Sequence, residues 1–249
     1  MKISVLITVK NDADNMRRLI QSLKKVRGDF EVVVVDAYSD DGTYELLNEE
    51  KENLNIIIDR LKGNRAVGRN RTIQLARGEK FAFIDSDSEV PEDWIERIIS
   101  HEREDIIAGR IVQNSDRRWA DLGRVPIYLK GQDVTYPSNN LIYSRNVIDK
   151  IGLFDVRFHT AEDVDLNIRA VNAGFRIKYA EDVFIYHYPR EDYISLIKQS
   201  YYDGIGRKIL KEKYGLGSKL NLLNLRKHPI LETYRLFFGM MGYLLGGFD

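Results

Sequence analysis

The sequence predicts an α/β protein, with a mostly parallel central sheet flanked by helices and a C-terminal helical extension. Three observations predict it. Short apolar runs rich in β-branched residues recur along the first half of the chain, and each reads as a strand covered on both faces. Segments of helical spacing alternate with them, the order that gives parallel neighbours joined by right-handed crossovers. Two of the runs stop at a carboxylate, most plainly where Phe81-Ala82-Phe83-Ile84 meets Asp85-Ser86-Asp87. Open α/β sheets bind ligands outside the carboxyl ends of their strands.

Residues 2–9 form the first strand, and Asn11 or Asp12 caps a helix whose apolar face is Met16, Leu19, Ile20 and Leu23. Residues 30–35 form the second strand, stopping at Asp36, and Asp40-Asp41-Gly42-Thr43 turns the chain into a helix carrying Leu46 and Leu47. Residues 56–58 read as a strand, 65–76 as a helix ended by Gly78, and 80–84 as the fourth strand. Pro91 suits a first helical turn, followed by Trp94, Ile95, Ile98 and Ile99 at helical spacing. Residues 106–112 are a fifth strand. The pattern fails over 113–137, a polar stretch containing Trp119, which is long for a structureless connection and therefore reads as a functional loop. A strand over 140–143, helices over 145–151 and 162–173, short strands over 177–179 and 183–186, and a helix over 193–210 weakened by Gly204 and Gly206 complete the series. No repeat or linker interrupts it, so one domain is expected over 1–214, with an extension over 215–249.

Bulk composition excludes several classes of function. Lys+Arg and Asp+Glu balance at 38 each, which lacks the basic footprint of a nucleic-acid binder. The chain has no cysteine, so disulfides, thiolate metal sites and a cysteine nucleophile are excluded. No apolar run reaches the roughly 18 residues of a membrane span, and the opening strand is too short for a signal peptide. A cytoplasmic protein is expected.

The chemistry falls on three acidic stations. Asp36 ends the second strand. Asp85 and Asp87 end the fourth, spaced to share a divalent cation such as Mg²⁺ or Mn²⁺ that would bridge protein and a diphosphate. Asp-Ser-Asp is equally a turn and helix-entry sequence, and only the strand before it and the matching Asp36 favour a site. Glu162-Asp163 opens a helix, where acidic residues also serve simply as helix-start chemistry.

Taken in order, these segments resemble the family 2 glycosyltransferases of the GT-A fold, over roughly residues 2–208. I-T-V-K-N-D…L-I-Q-S-L resembles the first nucleotide loop and helix, and V-V-V-V-D-A-Y-S-D-D-G-T the strand ending in the nucleotide-binding Asp. G-R-N-R-T-I-Q-L-A-R-G, F-I-D-S-D and I-G-L-F-D…A-E-D-V-D-L-N-I-R-A-V-N-A-G-F-R-I follow in the family's order. The resemblance implies that Asp36 accepts hydrogen bonds from a nucleotide base with Thr8 and Val9 beside it. It implies that Asp85 and Ser86 face the nucleotide-sugar and that Asp85 and Asp87 hold the metal. It gives Arg65 or Arg69 access to the base or diphosphate, and makes His187 a late metal or diphosphate ligand. It implies that Asp163 is the base that deprotonates the acceptor hydroxyl, with Glu162 and His159 toward the acceptor. Arg190 and Arg207 are further candidates for the leaving diphosphate, though surface charge is the simpler reading.

The implied reaction is inverting transfer of one sugar from a UDP- or GDP-linked donor to a glycan or lipid-linked acceptor. Two departures bear on it. Ala37-Tyr38 stand where the family has a second Asp and a Gly, beside the expected base pocket. Lys198-Gln199-Ser200-Tyr201-Tyr202 replaces the Q-x-x-R-W of processive synthases, which favours one transfer per event. A nucleotidyltransferase would need a lysine- or glycine-rich phosphate loop, and T-V-K-N-D-A-D-N is not one. A non-catalytic nucleotide-sugar-binding or membrane-associated scaffold would be expected to have lost carboxylates that are present here. The C-terminal stretch 230–248 is apolar and glycine-rich; four glycines argue against a long helix. Packing on the domain, a dimer contact and a peripheral contact with the cytoplasmic membrane face all remain open for it, as does the oligomeric state.

Overall fold

The computed structural model describes residues 2–115, 125–189, 192–216 and 227–246. Its centre is an eight-stranded sheet. Strand β1 (Ile3–Val9) leads to α1 (Ala13–Leu23), β2 (Phe30–Asp36), α2 (Thr43–Glu50), β3 (Ile56–Arg60), α3 (Arg65–Leu75) and β4 (Lys80–Phe83). These four strands are mutually parallel, with Val9 level with Asp36 and Leu6 level with Phe83, so their carboxyl ends share one edge of the sheet.

The second half departs from the purely parallel plan. After β5 (Ser88–Glu89), α4 (Trp94–Ser100) and β6 (Ile106–Gln113) come a small hairpin, β7 (Tyr128–Leu129) with β8 (Gln132–Asp133), and a 3₁₀ turn over Ser138–Asn140. Strand β9 (Leu141–Ser144) then inserts between β4 and β6, antiparallel to both. Helices α5 (Arg145–Ile151) and α6 (Glu162–Asn172) precede β10 (Ile177–His187), which is parallel to β6 and antiparallel to β5. Part of the polar 113–137 stretch is thus a hairpin; Trp119 lies outside the described residues.

The two short strands expected over 177–186 are one strand, with a register break between Ala180 and Phe184. Asn140 fills that bulge, its amide donating to the carbonyls of Val183 (3.0 Å) and Arg110 (3.1 Å). Gly109 is required there, because a Cβ would overlap the Asn140 amide and the Val183 carbonyl.

Alternation along the strands fills both faces. Val5, Ile7, Val32 and Val34 meet α1, α2 and α4 through Met16, Leu19, Leu47 and Trp94. Leu6, Val33, Phe81 and Phe83 meet Ala66, Val147 and Leu166 on the other. Each such fully buried aliphatic or Phe side chain contributes roughly 1.5–3 kcal/mol by leaving water.

A third cluster joins α6 to α7 (Tyr193–Tyr214) through Ile168, Val171, Ile205 and Ile209. The glycines of α7 are contact points that leave it unbroken. A Cβ on Gly206 would press on Thr160 and one on Gly204 on the Gly239 carbonyl, so the helix runs through both and ends at Gly215, φ 67°. The expected C-terminal helical extension is present, but the reading that its glycines oppose a long helix is overturned by the same cause: α8 (Pro229–Leu245) is a 17-residue helix, and its Gly242 lies against the Tyr201 backbone of α7. Tight backbone crossing offsets the helix cost of glycine, about 1 kcal/mol per residue.

Gly109→Ala should therefore lose about 1–3 kcal/mol of stability as an overpacked site, read as a lower denaturant midpoint with an unchanged slope.

Candidate functional site

The sheet edge gathers the acidic stations. Asp36 is fully buried at the end of β2, where the Ser39 N–H donates to both carboxylate oxygens at 3.1 Å and Arg60 Nε donates to Oδ2 at 2.9 Å. These donors take most of the carboxylate's accepting capacity. Arg60 sits over the rings of Tyr44 (4.2 Å) and Tyr38 (4.7 Å). Tyr38, at φ 59°, is half exposed, with Lys62 Nζ 5.3 Å from its ring centre. Arg60 was not singled out from sequence; its place opposite Asp36 in the β2–β3 register identifies it. Thr8 and Val9 end β1 beside this group, and the absent side chain of Gly68 lets α3 approach Thr8.

Arg69 is the hub. It is buried at 4% exposure on α3, donating through Nη1 to Glu162 Oε1 and through Nη2 to Asp85 Oδ1 at 3.0 Å. Its guanidinium lies 5.8 Å from the Phe154 ring centre. Burial would raise the Asp85 carboxyl, but the positive charges of Arg69 and Arg65 outweigh it and hold the group below the usual carboxylate range. Burial pushes Glu162 upward; Asp163 adds to this and Arg69 opposes it. Arg65 stands at the first position of α3.

Asp163 is held at the start of α6. Its Oδ2 accepts from the Ser138 N–H at 3.0 Å, and its Oδ1 from the Val164 N–H at 2.8 Å. The residue before the acidic pair, Ala161, has φ 63°, a conformation costly for a side chain with a Cβ and maintained only where surrounding structure imposes it. Gly206 of α7 packs against this turn. His159 is exposed and stacks on Tyr202, 5.3 Å between ring centres.

The expected trio Asp85, Asp87 and His187 divides into two. Asp85 is committed to Arg69, whereas Asp87 faces His187, with Oδ1 and Nε2 3.4 Å apart. Among the described residues no three His, Asp or Glu side chains are grouped to hold a metal. Asp87 Oδ1 is nonetheless buried without a hydrogen bond. His187 Nδ1 lies 2.8 Å from Gln113 Oε1, an acceptor, so in the neutral ring Nδ1 carries the hydrogen and the Nε2 lone pair is left toward Asp87. An orphaned carboxylate oxygen facing an imidazole lone pair fits a divalent cation with two protein ligands. Ser86 Oγ donates to Asp12 Oδ2 at 2.6 Å, bracing the turn between the two Asp residues. Gln113, Ser138 and Asn139 were also missed. Asn139, whose Oδ1 accepts from Ser88 Oγ at 2.8 Å, acts through pairings that a linear reading does not reveal. Arg190 lies outside the described residues.

Removing the guanidinium strands the buried Glu162 carboxylate and leaves the partly exposed Asp85 without its partner, so Arg69→Met should cost about 3–5 kcal/mol by denaturant melt. A second prediction concerns Asp155, whose carboxyl is held well below the usual range by Arg157, with Lys213 assisting at 2.9 Å and burial opposing. That stabilisation is complete above about pH 4 and lost as pH falls through the lowered folded value. The Tm difference between wild type and Arg157→Gln/Lys213→Met should accordingly be constant near neutrality and shrink on acidification.

Residues 4–158 match the family described as Glycosyl transferase family 2. The chain is 27% identical over 221 residues to the glycosyltransferase AglE of Haloferax volcanii, covering 82% of this chain and 72% of that protein. It is 30% identical over 227 residues to the pre-mycofactocin glycosyltransferase of Mycobacterium tuberculosis, covering 81% of this chain but only 46% of that one. In structure it is similar to S. aureus TarS 1–349 in complex with UDP-GlcNAc, with TM-score 0.67, 20% identity, and coverage of 96% of this chain and 71% of that one. It is also similar to the mannosyltransferase PcManGT from Pyrobaculum calidifontis in complex with GDP-Man and Mn²⁺, with TM-score 0.67, 16% identity, and coverage of 97% and 71%. These two likenesses bear out the GT-A fold, and the match over residues 4–158 makes the chain a member of glycosyltransferase family 2.

Proposed function

We propose that the protein transfers a single sugar, with inversion, from a UDP- or GDP-linked donor to an acceptor hydroxyl, using Asp163 as the base. The observation that carries this reading is the fixing of Asp163 by the Ser138 and Val164 N–H groups, next to Glu162, which Arg69 joins to Asp85 at the sheet edge. Proton removal requires a carboxylate held in one orientation, and two backbone donors on separate segments provide it.

Asp163 takes the acceptor hydroxyl proton as that oxygen bonds to the anomeric carbon. The bond from this carbon to the diphosphate oxygen breaks on the opposite face, and the nucleoside diphosphate leaves with the electron pair. Asp87 and His187 would hold a Mg²⁺ or Mn²⁺ ion, with donor phosphates supplying further oxygens. When bound, that ion neutralises charge developing on the leaving diphosphate. Arg69 ties Glu162 to Asp85, and Arg65 adds positive charge toward both. Tyr38, with Lys62 near its ring, offers a stacking surface for the donor base at the end of β2. The structural neighbours' own ligands, UDP-GlcNAc in one case and GDP-Man with Mn²⁺ in the other, support a nucleotide-sugar donor and a divalent ion here.

Asp163→Asn should lower transfer by about 10²–10⁴-fold while leaving donor affinity unchanged in a thermal-shift titration. Asp87→Asn should instead remove the part of donor stabilisation that depends on Mg²⁺ or Mn²⁺. Full transfer by both variants would refute the reading.

A further inference from the structure

The last helix is inside out. The only charges of α8, Glu232 and Arg235, share with Gly239 and Gly242 the face turned to α7; Glu232 is 5% exposed and accepts from Arg235 Nη1 at 2.8 Å. The opposite side carries Ile230, Tyr234, Phe237, Met240, Leu244 and Leu245, of which Ile230, Phe237 and Leu244 are 66%, 52% and 64% exposed. The spacing of three and four residues places these side chains in one stripe. A helix on a protein surface in water shows the reverse arrangement, and a contiguous exposed apolar patch marks a contact with protein or membrane. The helix cannot roll to hide the stripe, because Gly242 lies on the Tyr201 backbone and Gly204 on the Gly239 carbonyl, where any other residue would collide.

We propose that this stripe docks on an anionic lipid bilayer, with α8 lying in the interface plane. Charge selects this occupant. Helices α7 and α8 carry six Lys/Arg against three Asp/Glu, in a chain of zero formal net charge. Cations stand at both ends of α8: Lys227 is exposed just before it, while at its far end Lys211 Nζ is 5.8 Å from the Tyr243 ring centre and Lys208 donates to the Gly246 carbonyl at 3.2 Å. No acid of α8 is exposed. A second copy seated on this face would pair the patch with itself and bring like charges together, whereas anionic headgroups neutralise them. Among the described residues no helix is long and apolar enough to cross a membrane, which agrees with contact in the interface. The same α7 that carries the stripe's helix carries Gly206, packed on the turn before Asp163, so docking would set the acceptor end of the site one helix away from the bilayer. That last link rests on the role proposed for Asp163; the docking itself does not.

The test is sedimentation of the full chain with vesicles of phosphatidylcholine alone and with phosphatidylglycerol added, at low and high salt. Wild type should bind the mixed vesicles, less so in high salt. Phe237→Ser/Leu244→Ser should bind them roughly tenfold more weakly, with an unchanged melting temperature and unchanged donor binding. Equal vesicle binding by wild type and variant would overturn the proposal. So would a wild type that ignores both vesicle types, whether light scattering finds it monomeric or finds a dimer that the variant dissociates. Donor binding, measured in parallel, separates failure of docking from failure of the transferase reading.

Discussion

A buried guanidinium must be paired, and the pairing of Arg69 organises the site. Taking an unpaired charge out of water costs several kcal/mol even after relaxation. Arg69 meets that demand with two carboxylates from distant parts of the chain, Asp85 at the end of β4 and Glu162 at the start of α6. The end of β4 and the start of α6 are thereby tied through one side chain. Helix α3 reinforces the tie one residue on: the Asn70 amide donates to the Phe154 carbonyl at 2.9 Å and its oxygen accepts from the Phe154 N–H at 2.8 Å. The loop that delivers Glu162 and Asp163 is thus anchored to the helix that holds Asp85.

Close backbone approach is the second constraint. Ala161 is kept at positive φ by packing that includes Gly206, and the helix carrying Gly206 is itself clasped by α8 through further glycine contacts. A chain of tight contacts therefore runs from the apolar outer stripe, through α7, to the turn that aims Asp163. At the end of β2 the equivalent rigidity comes from charge and stacking, with Asp36 locked to Arg60 and Arg60 laid on two tyrosine rings.

Much of this was legible in the linear sequence where one segment alone carries the information. The apolar runs of β1, β2 and β4 are buried on both faces, so their composition announces them, and the acids at the ends of β2 and β4 follow at once. The acidic start of α6 is equally local. What escaped depends on pairing between segments. Nothing in residues 141–144 says that the strand runs antiparallel between two others, and nothing near Gln113 says that it will orient His187. Asp85 and Asp87 read as equivalent ligands, yet Arg69 claims one and leaves the other to His187. The glycines of α7 and α8 were misread because helix propensity weighs a residue by itself, whereas their effect here is to let two helices touch.

Coupling between Arg69 and Glu162 tests the central claim most directly. A double-mutant cycle with Arg69→Met and Glu162→Gln, followed by denaturant melts, isolates it. If one buried charge network joins the two ends of the site, the double variant loses less than the sum of the single variants, with a coupling of about 1–3 kcal/mol. Losses that simply add would contradict it.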